Sequence, residues 1–318
     1  MTHPTSGKPE LLVLRPLMPA QMEQLEQEFE LHRYDQATDP DALLASVGSR
    51  VRGVVTAGVP GFKAAMLSKL PALEIVSSSA VGTDSIDVAA CKERGVHVTN
   101  TPEVLNDDVA DLAIGLVLNA LRRLGDGHEY VRSGEWSRSG MMPLARSLKG
   151  KRMGIVGLGR IGMEIAQRAE AMKMQISYTG RSRKNVAYEF YETPAELARN
   201  CDVLMLACPG GAATRHLINA SVLEALGPDS WVVNISRGSV IDEAALIDAL
   251  QRKAIGGAAL DVFENEPQVP QALFGLDNVV LSPHQGSATV ETRDAMGALL
   301  VANLERHFAG EPLISAVV

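Results

Sequence analysis

Three stretches of this chain place residues that do proton and anion chemistry just after short apolar runs. They are Asn234-Ile235-Ser236-Arg237-Gly238, Asp261-Val262-Phe263-Glu264-Asn265-Glu266-Pro267 and Ser282-Pro283-His284-Gln285-Gly286-Ser287. A histidine such as His284 can give a proton to a carbonyl oxygen and take it back in the reverse direction. A carboxylate touching that imidazole favours its charged form, so Glu266 would keep His284 protonated near neutral pH. Arg237 could bind a substrate carboxylate and polarise the adjacent carbonyl. Singly, each has a plainer reading: a surface cation, a turn carboxylate, a satisfied loop imidazole. Together, at three strand ends, they point to carbonyl reduction beside a nicotinamide. The remaining histidines (His3, His32, His97, His128, His216 and His307) lack comparable surroundings and read as structural or solvated. No Cys/His set has metal-ligand spacing, so no metal site is expected.

A fourth stretch supplies the cofactor argument. Lys151 to Gly162 reads as a buried strand, a glycine turn and the start of a helix, with Gly157-Leu158-Gly159-Arg160-Ile161-Gly162 at the turn. Gly157 permits the tight turn, Gly159 lets backbone approach a pyrophosphate, and Gly162 lets the helix pack on its strand. The strand-before, helix-after context is what gives this motif weight. About 20 residues on, an NAD enzyme usually carries an acid for the ribose 2′-OH. Here the run is Gly180-Arg181-Ser182-Arg183-Lys184. Arginines clasp phosphate through parallel N–H donors. Arg181, Ser182 and Arg183 therefore favour NADPH, with NADH possible, over the plainer reading of a solvated basic turn.

These residues need a scaffold of parallel strands. Leu11–Leu14, Gly53–Thr56, Leu73–Ser77 and Val96–Thr99 read as buried strands, with helices at Met18–Glu30, Pro40–Val47, Lys63–Lys69 and Asp87–Arg94. A long apolar helix is expected over Pro102–Leu124, between domains or subunits, then a loop over Val131–Lys149. Six further strands come after it: Met153–Gly157, Gln175–Thr179, Asp202–Cys208, Trp231–Ile235, Gly257–Val262 and Asn278–Ser282. A last helix, Thr289–Phe308, is expected to return to the first domain. The fold class is therefore α/β, with two doubly wound parallel-sheet domains (Rossmann and flavodoxin-like) and a cleft between them. A discontinuous substrate domain, residues 1–100 and 288–318, would flank a dinucleotide domain, 101–287. With 318 residues, 46% hydrophobic and net charge −8, the chain suits a soluble two-domain protein rather than a nucleic-acid or membrane binder. Cys91, Cys201 and Cys208 read as buried thiols in a reducing compartment, and the segment Met1–Glu10 has no apolar leader core, so a cytoplasmic location is expected.

The motifs GLGRIG (157–162), NISRG (234–238), DVFENEP (261–267) and SPHQGS (282–287) resemble the D-isomer-specific 2-hydroxyacid dehydrogenases over essentially the whole chain. TPEVLNDDVADLAIGL (101–116), YTGRSRK (178–184) and VETRDAM (290–296) are similar to the NADPH-dependent glyoxylate and hydroxypyruvate reductases of that family. The resemblance implies a homodimer and a catalytic trio of Arg237, Glu266 and His284. It implies that the backbone amides of Val81 and Gly82 bind the substrate carboxylate, and that Pro209, Ile235, Asp261 and Gly286 touch the cofactor. One departure concerns the loop Trp136–Met142, where some relatives carry a later aromatic residue that reaches the partner's site. Here Ser and Met stand instead, which leaves a bulkier 2-keto acid such as phenylpyruvate as an alternative substrate. A nucleotide-sensing binding protein like the corepressors of this fold is the alternative of another class.

Overall fold

Short β-branched and aliphatic runs pair side by side in the computed structural model, which describes residues 7–318. His3 and most of the polar N-terminal run lie outside the described residues. Residues up to Leu105 together with Thr289–Val318 form one compact unit, and Asn106–Ala288 form another.

The first unit carries β1 (Glu10–Val13), β2 (Glu30–Arg33), β3 (Val51–Thr56), β4 (Ile75–Ser78) and β5 (His97–Thr99) in a parallel sheet of order β2-β1-β3-β4-β5. Helices α1 (Pro19–Glu28), α2 (Pro40–Val47), α3 (Ala64–Leu67) and α4 (Val88–Glu93) make the crossovers. Alternate strand residues serve opposite faces. Leu12, Val54, Val76 and Val98 enter one core cluster, while Leu11, Val13, Val55 and Ile75 enter another. β2 is additional to the strands expected: it is a half-exposed edge strand of sequence ELHR, with no apolar run to announce it. At its start Glu10, Glu30 and His32 cluster. Glu10 already pairs with His32 at 2.7 Å and Arg50 at 2.8 Å.

The second unit begins with α5 (Asn106–Arg122), α6 (Leu124–Arg132) and α7 (Glu135–Ser139). The helix expected from Pro102 starts only at Asn106, after Glu103 has taken a left-handed φ of 73°. The expected loop over 131–149 contains α7, which buries none of its residues and so shows no apolar periodicity against its own chain. Then come β6 (Arg152–Val156), α8 (Arg160–Ala171), β7 (Gln175–Thr179), β8 (Glu189–Phe190), α9 (Pro194–Arg199), β9 (Val203–Leu206), α10 (Ala220–Leu226), β10 (Trp231–Asn234), α11 (Glu243–Gln251), β11 (Gly257–Leu260) and β12 (Val279–Leu281). All pair in parallel, in the order β12-β11-β10-β9-β6-β7-β8. The order reverses between β6 and β9, and ligands of such sheets bind at that switch point, beyond the strand carboxyl ends.

The last helix, α12 (Val290–Ala309), belongs to the first unit. Its Leu300, Val301 and Leu304 complete the cluster on one face of that sheet. Burying each such side chain stabilises by about 2 kcal/mol. Thr289 caps its first turn through Thr292 N–H. Among the described residues no helix is long and apolar enough to cross a membrane. Cys91, Cys201 and Cys208 are buried and free. Burial pushes their thiols up, that of Cys201 to about 12, so they are inert packing groups.

Candidate active site

The glycine loop sits at the switch point, and each glycine is there for a different reason. Gly157 has φ 95°, and a Cβ would fall 2.6 Å from the Cys208 backbone. A Cβ on Gly162 would fall 2.4 Å from the Gly157 carbonyl oxygen. A Cβ on Gly159 would meet no protein atom within 4 Å, so that glycine keeps space clear for something outside the chain. Gly159 also opens α8, which has no side-chain cap, whereas Asp39, Asp87, Thr193, Asn219, Asp242 and Thr289 cap other helices. An open helix N-terminus beside a cleared backbone is a phosphate cradle. Leu158 is buried beneath it, and Arg160 is exposed at its rim.

Beyond β7 the turn carrying Arg181, Ser182 and Arg183 is exposed. The buried Tyr178 hydroxyl accepts from Lys184 N–H at 2.7 Å and fixes where this turn rejoins the strand. Arg183 lies 5.6 Å from the Phe190 ring centroid, a cation–π contact that draws it toward β8. The basic residues and the glycine turn thus lie after adjacent strands of one sheet, an arrangement that fits a dinucleotide.

The proton-handling residues come after β10, β11 and β12. His284 Nδ1 donates to Glu266 Oε2 at 2.7 Å, and Glu266 Oε1 accepts from Phe263 N–H at 3.0 Å. Burial would raise the Glu266 carboxyl, but His284, the Phe263 amide and the charge of Arg237 outweigh it and hold the group below the usual range. Since a carboxylate only accepts, His284 carries its proton on Nδ1, and Nε2 faces away from this partner. The imidazole is 43% exposed and its residue has φ 55°, a left-handed conformation unusual for histidine.

Asp261 holds that conformation. Its carboxylate is buried and accepts from Ser282 Oγ at 2.6 Å, Gln285 N–H at 2.7 Å and Gly286 N–H at 2.9 Å, while its carbonyl accepts from His284 N–H at 2.8 Å. Asp261, expected to touch cofactor, thus also anchors the histidine loop. Arg237 is half-buried and donates through Nη1 to Ser236 O at 2.7 Å. A Cβ on Gly238 would overlap the Phe263–Glu264 peptide at 1.9 Å, so that glycine lets the arginine and glutamate loops touch. Ile235 is buried at the end of β10, and Pro209 is exposed after β9. Val81 and Gly82 lie in the other unit, in the loop after β4, where Val81 O accepts from Asn100 Nδ2 at 2.8 Å.

His216, one of the histidines without chemical surroundings in the sequence, has a carboxylate partner beside the site, as His32 and His307 have in the first unit. His216 Nε2 lies 3.1 Å from Glu264 Oε1, two residues before Glu266. Nothing in the local sequence signals this, because the partners are 48 positions apart.

The family model for the D-isomer specific 2-hydroxyacid dehydrogenase NAD binding domain matches residues 114–286. The chain is 50% identical over 309 residues to glyoxylate/hydroxypyruvate reductase A of Arabidopsis thaliana, covering 97% of this chain and 98% of that one. It is 49% identical over 309 residues to hydroxyphenylpyruvate reductase of Plectranthus scutellarioides, with the same coverage. Among solved structures, the NADPH-dependent glyoxylate/hydroxypyruvate reductase of Sinorhizobium meliloti, in complex with NADP and malonate, superposes with a TM-score of 0.91. It is 41% identical, with 98% of this chain and 97% of that chain covered. A glycine cradle, a carboxylate-bonded histidine and an arginine on neighbouring strand ends therefore belong to an NAD(P)-dependent enzyme, and this chain is a member of the D-isomer specific 2-hydroxyacid dehydrogenase family.

Proposed function

We propose that this enzyme reduces small 2-keto acids, glyoxylate and hydroxypyruvate first, to 2-hydroxy acids with NADPH. The observation that carries the mechanism is the 2.7 Å bond from His284 Nδ1 to Glu266. It leaves Nε2 as the nitrogen that gives a proton to the substrate carbonyl oxygen. Glu266 stabilises the imidazolium before that proton leaves. Arg237 binds the substrate carboxylate and draws charge toward the carbonyl oxygen. The nicotinamide supplies the hydride to the carbonyl carbon. Gly157 to Gly162 would hold its pyrophosphate at the α8 N-terminus, and Pro209, Ile235, Asp261 and Gly286 would make further contacts with it. In oxidation the same Nε2 takes the proton back.

Arg181 and Ser182, exposed after β7, are the proposed readers of the 2′-phosphate, with Arg183 flanking them. Replacing Arg181 by Ala is expected to weaken NADPH by about 1.5–3 kcal/mol, the worth of a charge-assisted hydrogen bond, and to leave NADH nearly unchanged. Fluorescence titration with both cofactors checks this. An equal loss for both would show that Arg181 does not read the phosphate.

Substrate size is tested by initial rates of NADPH and NADH oxidation with glyoxylate, hydroxypyruvate and phenylpyruvate. The likeness to a hydroxyphenylpyruvate reductase, nearly as high as that to the plant glyoxylate/hydroxypyruvate reductase, favours an aromatic 2-keto acid as the second reading. A preference for phenylpyruvate would keep the mechanism and move the substrate class.

The working form is proposed to be a cytoplasmic homodimer. α6 and α7 bury none of their residues, yet Leu124, Val131 and Trp136 on them, and Met141 and Leu144 just after, are exposed apolar side chains. Such a patch needs cover. Sedimentation equilibrium is expected to give twice the chain mass of 34.0 kDa, and Trp136→Glu with Leu144→Glu to give the single mass.

A further inference from the structure

We infer that Arg215, His216 and Glu264 form a positioning clamp that fixes Glu266, and through it the His284 imidazole. This inference rests on the Glu266–His284 reading above.

The clamp is built from the segment between β9 and α10. Thr214 Oγ1 donates back to Pro209 O at 2.7 Å, and the chain then runs beside the turn after Arg237. His216 N–H donates to Ser239 O at 2.8 Å, Ile218 N–H to Val240 O at 3.0 Å, and Asp242 N–H to Ile218 O at 3.0 Å. From this segment Arg215 Nη2 reaches Glu264 Oε1 at 2.7 Å and His216 Nε2 reaches the same oxygen at 3.1 Å. The Glu264 backbone N–H donates to Glu243 Oε1 at 3.2 Å, and the preceding peptide rests against Gly238. Glu264 is thereby held by its side chain, its amide and its peptide plane. The Phe263 amide, which bonds Glu266 Oε1, is the N–H immediately before that of Glu264.

Two features argue for more than a surface ion pair. His216 is held at φ 50°, a conformation that non-glycine residues adopt at a cost and that aims its ring at Glu264. The bonds from His216 and Arg215 also outweigh burial and hold the Glu264 carboxyl below the usual range, so it stays charged beside Glu266. A shift of Glu266 would move the imidazole bonded to it at 2.7 Å, and misplacement of about 1 Å is costly to rate.

The test is a double-mutant cycle in the full-length enzyme. Glu264→Ala is expected to lower kcat for keto-acid reduction by about 10- to 100-fold, with KM and NADPH affinity within about threefold. Glu264→Gln, which can still accept from Arg215, should recover part of that loss. In a Glu266→Gln background, Glu264→Ala should cost nothing further, because the group it positions is already gone. His216→Gly should leave Tm within about 3 °C, since glycine relieves the left-handed backbone, and still lower kcat. Full, independent losses from Glu264→Ala and Glu266→Gln would overturn the clamp while leaving the active-site reading intact. Wild-type turnover in Glu266→Gln alone would overturn the reading itself.

Discussion

Replacing His284 by Ala is expected to lower keto-acid reduction by about 10²- to 10⁴-fold, the usual worth of a positioned general acid, while NADPH binding stays within about twofold. The separation comes from where His284 sits. The proposed cofactor cradle is Gly157 to Gly162 and the α8 N-terminus, whereas His284 is carried by a loop tied to Asp261. That loop is held by backbone donors, Gln285 N–H and Gly286 N–H, which an alanine at 284 leaves in place. The left-handed φ of 55° remains a strain for alanine, so His284→Asn, which tolerates it better, is the companion variant. Steady-state rates and NADPH titration check both, and unchanged turnover in either His284 variant would remove the acid–base assignment.

The strand ends that bear this chemistry are readable because interior strands of a parallel sheet are continuous apolar runs. Val203–Leu206 and Trp231–Asn234 stand out in the sequence, and the residues just beyond their carboxyl ends must lie at the ligand-binding edge. Edge strands obey no such pattern: Glu30–Arg33 and Glu189–Phe190 are part-exposed, and neither has an apolar run to mark it. The helix Glu135–Ser139 is hidden for the opposite reason, since its apolar Trp136 is exposed rather than packed on its own chain. Within the site, Glu266 and His284 can be paired from role alone. Asp261 as the anchor of residues 282–286, and His216 as the partner of Glu264, cannot be. Both depend on contacts across 24 and 48 positions that only the sheet order brings about.

The second large effect belongs to Arg237. Arg237→Ala is expected to lower kcat/KM for 2-keto acids by about 10²- to 10³-fold, in the range seen when a donor to developing charge is removed. The guanidinium does two things that alanine cannot. Its fork matches a carboxylate in plane with the reacting carbonyl, and its charge helps hold Glu266 ionised. Arg237→Lys restores the charge but not the fork, and Nη1 already donates to Ser236 O, so a lysine must choose between that carbonyl and the substrate. Recovery by lysine should therefore be partial. A neutral substrate separates the two contributions. With methyl pyruvate in place of pyruvate the carboxylate contact is absent from the start, so Arg237→Ala should cost far less than with the acid, and the acid-over-ester preference should collapse. Equal losses for acid and ester would mean that Arg237 acts only through Glu266 and the backbone around Gly238, and the carboxylate would then have to be bound elsewhere.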